Sequence, residues 1–324
     1  MQHEISIIIE WENVLLAEQD RCITMLQEVR RQILASKREI EVLVIFNPQQ
    51  VDRNIVEQAL VSHLLPVSPS GREITCRIAE GEGLHYYQLK NRGVQLSNGQ
   101  IIIFIDSDVI PESGWLEALI KPFEEFPGMN VLAGHTYLAP DDLPGQAFAL
   151  GWFFPLRSTI PALESGAKHF FANNVAFRRE ILEQYPFPEM ASGMTRGACV
   201  TLASTLVEHG IDISKTTAAQ CSHPAPNGFE HFFARGLAEG RDWAIKREQE
   251  CEPRWRSSLA ALKKFFSNTR RTLKRGIKFH RNVGLSWWQT PLAIGLMSLF
   301  HLEACLGTWA YLLMPESARR WWRI

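Results

Sequence analysis

Asp106 and Asp108 stand two residues apart at the end of an apolar run, Ile101-Ile-Ile-Phe-Ile-Asp-Ser-Asp108. On an extended chain, residues i and i+2 face the same side, so both carboxylates project into one cleft. Two hard oxygen donors suit Mg2+ or Mn2+, ions that complete their shells with substrate phosphate oxygens. Such an ion would neutralise charge on a departing diphosphate. A plain structural use is open as well: Asp-Ser-Asp can end a strand and cap the helix that Pro111-Glu-Ser-Gly-Trp115 introduces. The position of the strand in the fold decides between them.

Ile5 to Ile9 and Glu41 to Phe46 read as buried strands, Ile74 to Ile78 as a third and Ile101 to Ile105 as a fourth. Helical spacing separates them. Leu15, Leu16, Cys22, Ile23, Leu26, Val29 and Ile33 recur at three- and four-residue steps, and 52–65 and 84–96 read as further helices. Strands alternating with helices imply an α/β fold of right-handed βαβ units on a mostly parallel sheet. In such sheets ligands bind beyond the carboxyl ends of the strands. Asp106 and Asp108 lie at such an end, which favours the functional use. The second half is less regular, with strand-like pieces at 130–138, 169–177 and 211–219 and helical pieces at 178–184, 198–209 and 228–249.

Three pieces together, Tyr87-Gln-Leu-Lys-Asn-Arg-Gly93, Gly99-Gln-Ile-Ile-Ile-Phe-Ile-Asp-Ser-Asp108 and Gly114-Trp-Leu, resemble the core of family 2 glycosyltransferases. Ala172-Asn-Asn-Val-Ala-Phe-Arg-Arg-Glu-Ile-Leu182 is similar to that family's acceptor-side motif. The resemblance covers roughly residues 4 to 245. It implies a GT-A fold over 1–250, a nucleotide-sugar donor, a divalent metal and inversion at the anomeric carbon of the transferred sugar. By the same resemblance Glu10, Glu12, Asn47, Lys90 and Asn91 face the donor. Asp106 and Asp108 hold metal and diphosphate, His223 is the third metal ligand, and Asn174 meets the acceptor or sugar.

One departure stands out. Relatives carry Glu-Asp ahead of a Leu on the later helix, and that Asp is the general base; here the positions are Ala198-Cys199. A thiol is a poor base at neutral pH unless its pKa is lowered. Glu189 and Glu164 are the other carboxylates near in sequence. The base therefore comes from one of these, or the acceptor arrives ionised, or catalysis is lost and the chain only binds its nucleotide-sugar. The spacing from Gln249 to Arg254-Trp255 lacks the QxxRW pattern of processive relatives, which argues against a processive synthase.

Net charge is -1, which implies no nucleic-acid partner, and the six cysteines show no CxxC spacing, which argues against zinc or a disulfide scaffold. The beginning of the chain lacks the pattern of a signal peptide. Charge is uneven, however: from Leu259 to Arg281 there are eight Lys or Arg and no Asp or Glu. Leu262, Phe265, Phe266, Leu273 and Ile277 fall on one side of a helical wheel, and the basic residues on the other. A basic amphipathic helix suits an anionic membrane surface. Pro291 to Met314 is mostly apolar and long enough to span a bilayer, yet His301 and Glu303 fall within it. Residues 251–324 are thus expected to attach the chain to a membrane, peripherally or by one span, with the catalytic domain on the cytoplasmic side.

Overall fold

The computed structural model describes residues 4–12, 19–66, 73–140, 142–190, 197–226 and 228–315. The chain forms β1 (Ile5–Glu10), α1 (Gln19–Ala35), β2 (Ile40–Phe46), α2 (Arg53–His63), β3 (Thr75–Glu80), α3 (Tyr86–Leu96) and β4 (Ile101–Asp106). There follow β5 (Ile110–Pro111), α4 (Trp115–Glu125), β6 (Val131–Leu138), α5 (Leu143–Gly151), β7 (Leu163–Glu164), β8 (Asn174–Arg178), α6 (Arg179–Gln184), α7 (Ala198–Glu208) and β9 (Ile213–His223). Three long helices close the chain: α8 (Gly228–Gln249), α9 (Arg254–Phe279) and α10 (Thr290–Leu313). The expected Leu15 and Leu16 of the first helix lie outside the described residues.

Two compact units share these elements. The first takes in residues up to Thr136, then Ser158–Glu189 and Gly197–His223. Its sheet runs in the order β3-β2-β1-β4-β8-β6-β9-β5, with β7 beside β9. The pairs β3-β2, β2-β1 and β1-β4 are parallel, as the alternation predicts. Beyond β4 the recorded pairings turn antiparallel, so the sheet is mixed. Parallel strands covered on both faces must be apolar at every position, and β1 and β2 are buried throughout. Ile7, Ile9, Val42, Val44, Ile103 and Ile105 join Met25, Leu26 and Val29 of α1 and Leu116, Leu119 and Ile120 of α4 in one core. Each fully buried side chain of this size contributes about 1.5–3 kcal/mol. The opposite face receives α3, whose Gly93 sits against Ile8 so closely that a Cβ would fall 2.6 Å from its Cγ2.

The second unit comprises Tyr137–Arg157 and the chain from Pro224 onward. The sequence placed the boundary near residue 250; the structure moves it to 223/224, so α8 belongs with the C-terminal helices. The reason is steric. Gly240 of α8 and Gly307 of α10 allow the two helices to touch main chain to main chain, Gly236 takes the side chain of Glu303 against it, and a methyl at Gly240 would collide with the Ala304 carbonyl. Thr308 Oγ1 donates to the Gly240 carbonyl at 3.0 Å, and Tyr311 Oη to Glu248 Oε2 at 3.0 Å. Phe148 of α5 packs edge-on against Phe232 and Phe300.

His301 and Glu303 lie on the packed side of α10, 3% and 4% exposed. Burial lowers the His301 imidazole to about 4 and raises the Glu303 carboxyl to about 7. Neither oxygen of Glu303 finds a hydrogen-bond partner among the described residues. An unfolded Glu titrates near about 4.3, so between there and about 7 only the folded state keeps the proton. Stability from this group is complete below that window and lost as pH rises through it. We expect Glu303→Gln to raise the thermal midpoint at pH 8 and to leave it nearly unchanged near pH 4, as measured by circular dichroism melts.

Candidate active site

The chain runs from β1 out to β2 and β3 on one side, then returns to place β4 on the other. The switch in strand order therefore falls between β1 and β4, where open α/β sheets form their ligand crevice. The last rung of that pair is Glu10 opposite Asp106. Both side chains are buried, as are Ser107 and Asp108 in the turn that follows. The strand runs into acids at the one place where the topology opens a cleft.

Lys90 of α3 reaches this cluster from the other face. It is 0% exposed, and its Nζ lies 2.6 Å from Asp106 Oδ1. Tyr86, one helical turn earlier, donates its hydroxyl to the same carboxylate at 2.8 and 3.0 Å. The Lys90 ammonium also lies 4.6 Å from the centre of the Tyr86 ring. Glu10 accepts from the Glu12 amide at 3.0 Å, and its Oε1 has no hydrogen-bond partner among the described residues. Burial first, then the neighbouring Asp106, pushes the Glu10 carboxyl well above the usual carboxylate range.

Three acids against one lysine fit a cation. Among the described residues no group of three or more His, Cys, Asp or Glu side chains is assembled to hold a metal ion. The expected triad of Asp106, Asp108 and His223 is therefore not preformed. Asp106 is engaged by Lys90 and Tyr86, and Asp108, buried in the turn that follows it, would hold Mg2+ or Mn2+ with it. A site with so few protein ligands suits an ion that takes the rest of its shell from diphosphate and water. His223 ends β9, one residue beyond the Ser222 that pairs with Ile110. Arg21 of α1 ties these two lines together, donating to the Asp108 carbonyl at 2.6 Å and to the Ser222 carbonyl and hydroxyl.

Several expected contact residues are spent on main chain instead. Asn91 donates to the Phe187 carbonyl at 2.8 Å and accepts from its amide at 3.0 Å, so its amide anchors the loop after α6. Asn174 accepts from Trp115 Nε1 at 2.8 Å and donates to the Ala219 carbonyl at 3.0 Å. Fully buried, it is a strut joining β8, α4 and β9. Asn47 donates to the Leu84 carbonyl and accepts from the Gln49 and Gly83 amides. It organises the turn after β2 with the loop before α3. Glu12 is half-buried beside the cluster, 3.8 Å from His85.

The candidate bases fare no better. Cys199 accepts from the Tyr87 hydroxyl at 3.5 Å, and burial raises its thiol, the wrong direction for a thiolate base. Glu164 is exposed on β7 and paired with Lys215 at 2.9 Å. Glu189 is exposed next to 191–196, which lie outside the described residues. Tyr86 and Arg21 were missed by sequence reasoning. Tyr86 had a signal, since it shares a helix face with Lys90 at i, i+4; Arg21 had none, because its partners lie 87 and 201 residues away.

Breaking one partner of a buried ion pair leaves an uncompensated charge, at a cost of about 3–5 kcal/mol. We expect Lys90→Met to lower the unfolding free energy by about that much. Lys90→Met with Asp106→Asn should recover part of the loss, giving a clear coupling term in urea titrations. Strictly additive effects would mean that the pair is not coupled.

The family model described as Glycosyl transferase family 2 matches residues 23–186, slightly more than half of the chain. No curated protein matches the sequence. Among solved structures, a mannosyltransferase, PcManGT from Pyrobaculum calidifontis in complex with GDP-Man and Mn2+, aligns with a TM-score of 0.53 and 12% identity, over 98% of this chain and 88% of that one. TarS from S. aureus in complex with UDP-GlcNAc aligns with a TM-score of 0.51 and 10% identity, over 95% and 91%. At these identities the likeness is one of fold, and the fold is GT-A. With its acidic turn at the β1–β4 switch point and the family's model spanning that turn, the chain belongs to glycosyl transferase family 2.

Proposed function

We propose that the protein transfers a hexose from a nucleotide-sugar, most simply a uridine-linked one, to a hydroxyl acceptor with inversion of the anomeric carbon. The observation that carries this is the buried cluster of Glu10, Lys90, Asp106 and Asp108 at the switch point. Lys90 fixes Asp106, and Tyr86 holds the remaining oxygen, so neither carboxylate oxygen is left to swing. Asp108 then presents its charge in a fixed place, which is the form of preorganisation that favours a developing diphosphate. A divalent ion there would supply Lewis-acid stabilisation of the leaving group. Glu10, buried opposite Asp106 on the last rung of the β1–β4 pair, closes the other side of the cluster. In-line attack by the acceptor hydroxyl forms the new glycosidic bond, breaks the bond to the diphosphate and releases one proton.

We read the C-terminal unit as a membrane attachment, which brings the acceptor in as a lipid-linked or surface glycan at the cytoplasmic face. The exposed apolar residues of α9, among them Trp255, Leu259, Phe266 and Ile277, support this reading.

A second reading rests on Cys199. With a raised thiol in place of the usual carboxylate, the protein would bind its donor without turning it over. Incubation with UDP- and GDP-sugars and a panel of lipid-linked acceptors separates the two. Transfer with inverted configuration by NMR, abolished in Asp108→Ala and unchanged in Cys199→Ala, is the expected result. Donor binding with no transfer to any acceptor would establish the second reading.

A further inference from the structure

The amphipathic pattern of α9 is arranged inside out. Its buried positions are Ser257, Ala261, Thr272 and Gly276, all small. Its apolar residues face solvent instead: Trp255 62%, Leu259 61%, Phe266 61%, Leu273 46% and Ile277 71% exposed, with Leu262 beside them. Their spacing of three, four or seven residues makes one continuous ridge along the helix. Such an exposed apolar strip marks an interaction surface. Trp287 and Trp288 follow it, 80% and 59% exposed.

The basic residues divide into two sets. Arg271 and Arg275 turn inward, donating to the carbonyls of Gly151 and of Ala149, Trp152 and Phe154, and Lys264 lies 3.7 Å from Glu239. Lys263, Arg270, Lys274 and Lys278 are exposed beside the apolar ridge. No acidic residue lies in this stretch to offset them. The combination of apolar strip, basic flank and neighbouring tryptophans complements an anionic lipid surface.

The packing of α10 decides how deep the attachment goes. Its inner side touches α8 through glycines, and α8 carries Arg235, Glu239, Arg241, Asp242, Lys246 and Arg247. A helix locked to so charged a neighbour cannot cross a bilayer without taking those charges with it. His301 also contacts Thr272 of α9 at 3.2 Å. Outward, α10 shows leucines, among them Leu292, Leu299 and Leu306.

We propose that α9 lies in the plane of an anionic membrane, with its apolar ridge in the acyl boundary and Lys263, Arg270, Lys274 and Lys278 on the headgroups, and that α10 is a packed helix and not a span. This deepens, and rests on, the membrane attachment proposed above; it does not depend on the transfer reaction.

The test is flotation of the full chain with vesicles of phosphatidylcholine alone or with phosphatidylglycerol added. Binding should strengthen about tenfold or more with the anionic lipid and be released by alkaline carbonate. Phe266→Asp with Ile277→Asp should abolish it while UDP titration stays as in wild type; both side chains are exposed, so the fold is spared. Carbonate-resistant retention would show a span and overturn the proposal. So would undiminished flotation of the double variant, or a dimer in the absence of vesicles that the same variant disrupts. Loss of nucleotide binding in wild type with flotation intact would sink the transferase reading alone.

Discussion

The Lys90–Asp106 ion pair is the constraint around which the site is built. Two charges withdrawn from water at the end of β4 are tolerable only with close geometry and further hydrogen bonds. Tyr86 supplies those bonds, and Gly93 supplies the geometry. Without a Cβ at residue 93, α3 settles against Ile8 of β1 closely enough for Lys90 to reach through. Beside Asp106 the same end of the strands carries Asp108 and Glu10, both buried, and burial together with Asp106 pushes the Glu10 carboxyl upward. One helix position thus sets the electrostatics of the whole cleft.

Around that centre, polar side chains act as carpentry. Asn47, Asn91 and Asn174 each use both ends of the amide, the first two on main chain and Asn174 on the Trp115 indole and the Ala219 carbonyl, to tie together residues far apart in sequence. Arg21 does the same between the acidic turn and β9. Such bonds add about 0.5–1.5 kcal/mol each. Their larger effect is to fix loops at the carboxyl ends of the strands, where a ligand would need a rigid wall.

The parallel half of the fold was legible because local signals determine it. Apolar runs of Ile and Val and helical spacing between them leave one topology, and the acids at the end of the fourth run mark its switch point. The antiparallel half was less legible. Of the strand read over 169–177, only Asn174–Arg178 pairs, since Phe170 to Asn173 form the turn ahead of it. The protein partners of the asparagines were not legible for a physical reason: a buried amide needs partners, and the sequence does not say whether these are sugar hydroxyls or groups of the chain itself. The apolar and basic faces of α9 were legible, but not their orientation. Burial of small residues is set by how closely α9 packs in its own unit, and a helical wheel does not encode that.

The central claim is that the acids of the β1–β4 switch point hold a nucleoside diphosphate through a cation at Asp108. Calorimetric titration of the purified protein with UDP, with and without Mn2+, in wild type and Asp108→Ala, addresses it most directly. The account predicts binding that requires Mn2+ and disappears in the variant. Failure of wild type to bind UDP, GDP or any other nucleoside diphosphate would contradict it, as would equal binding in the variant.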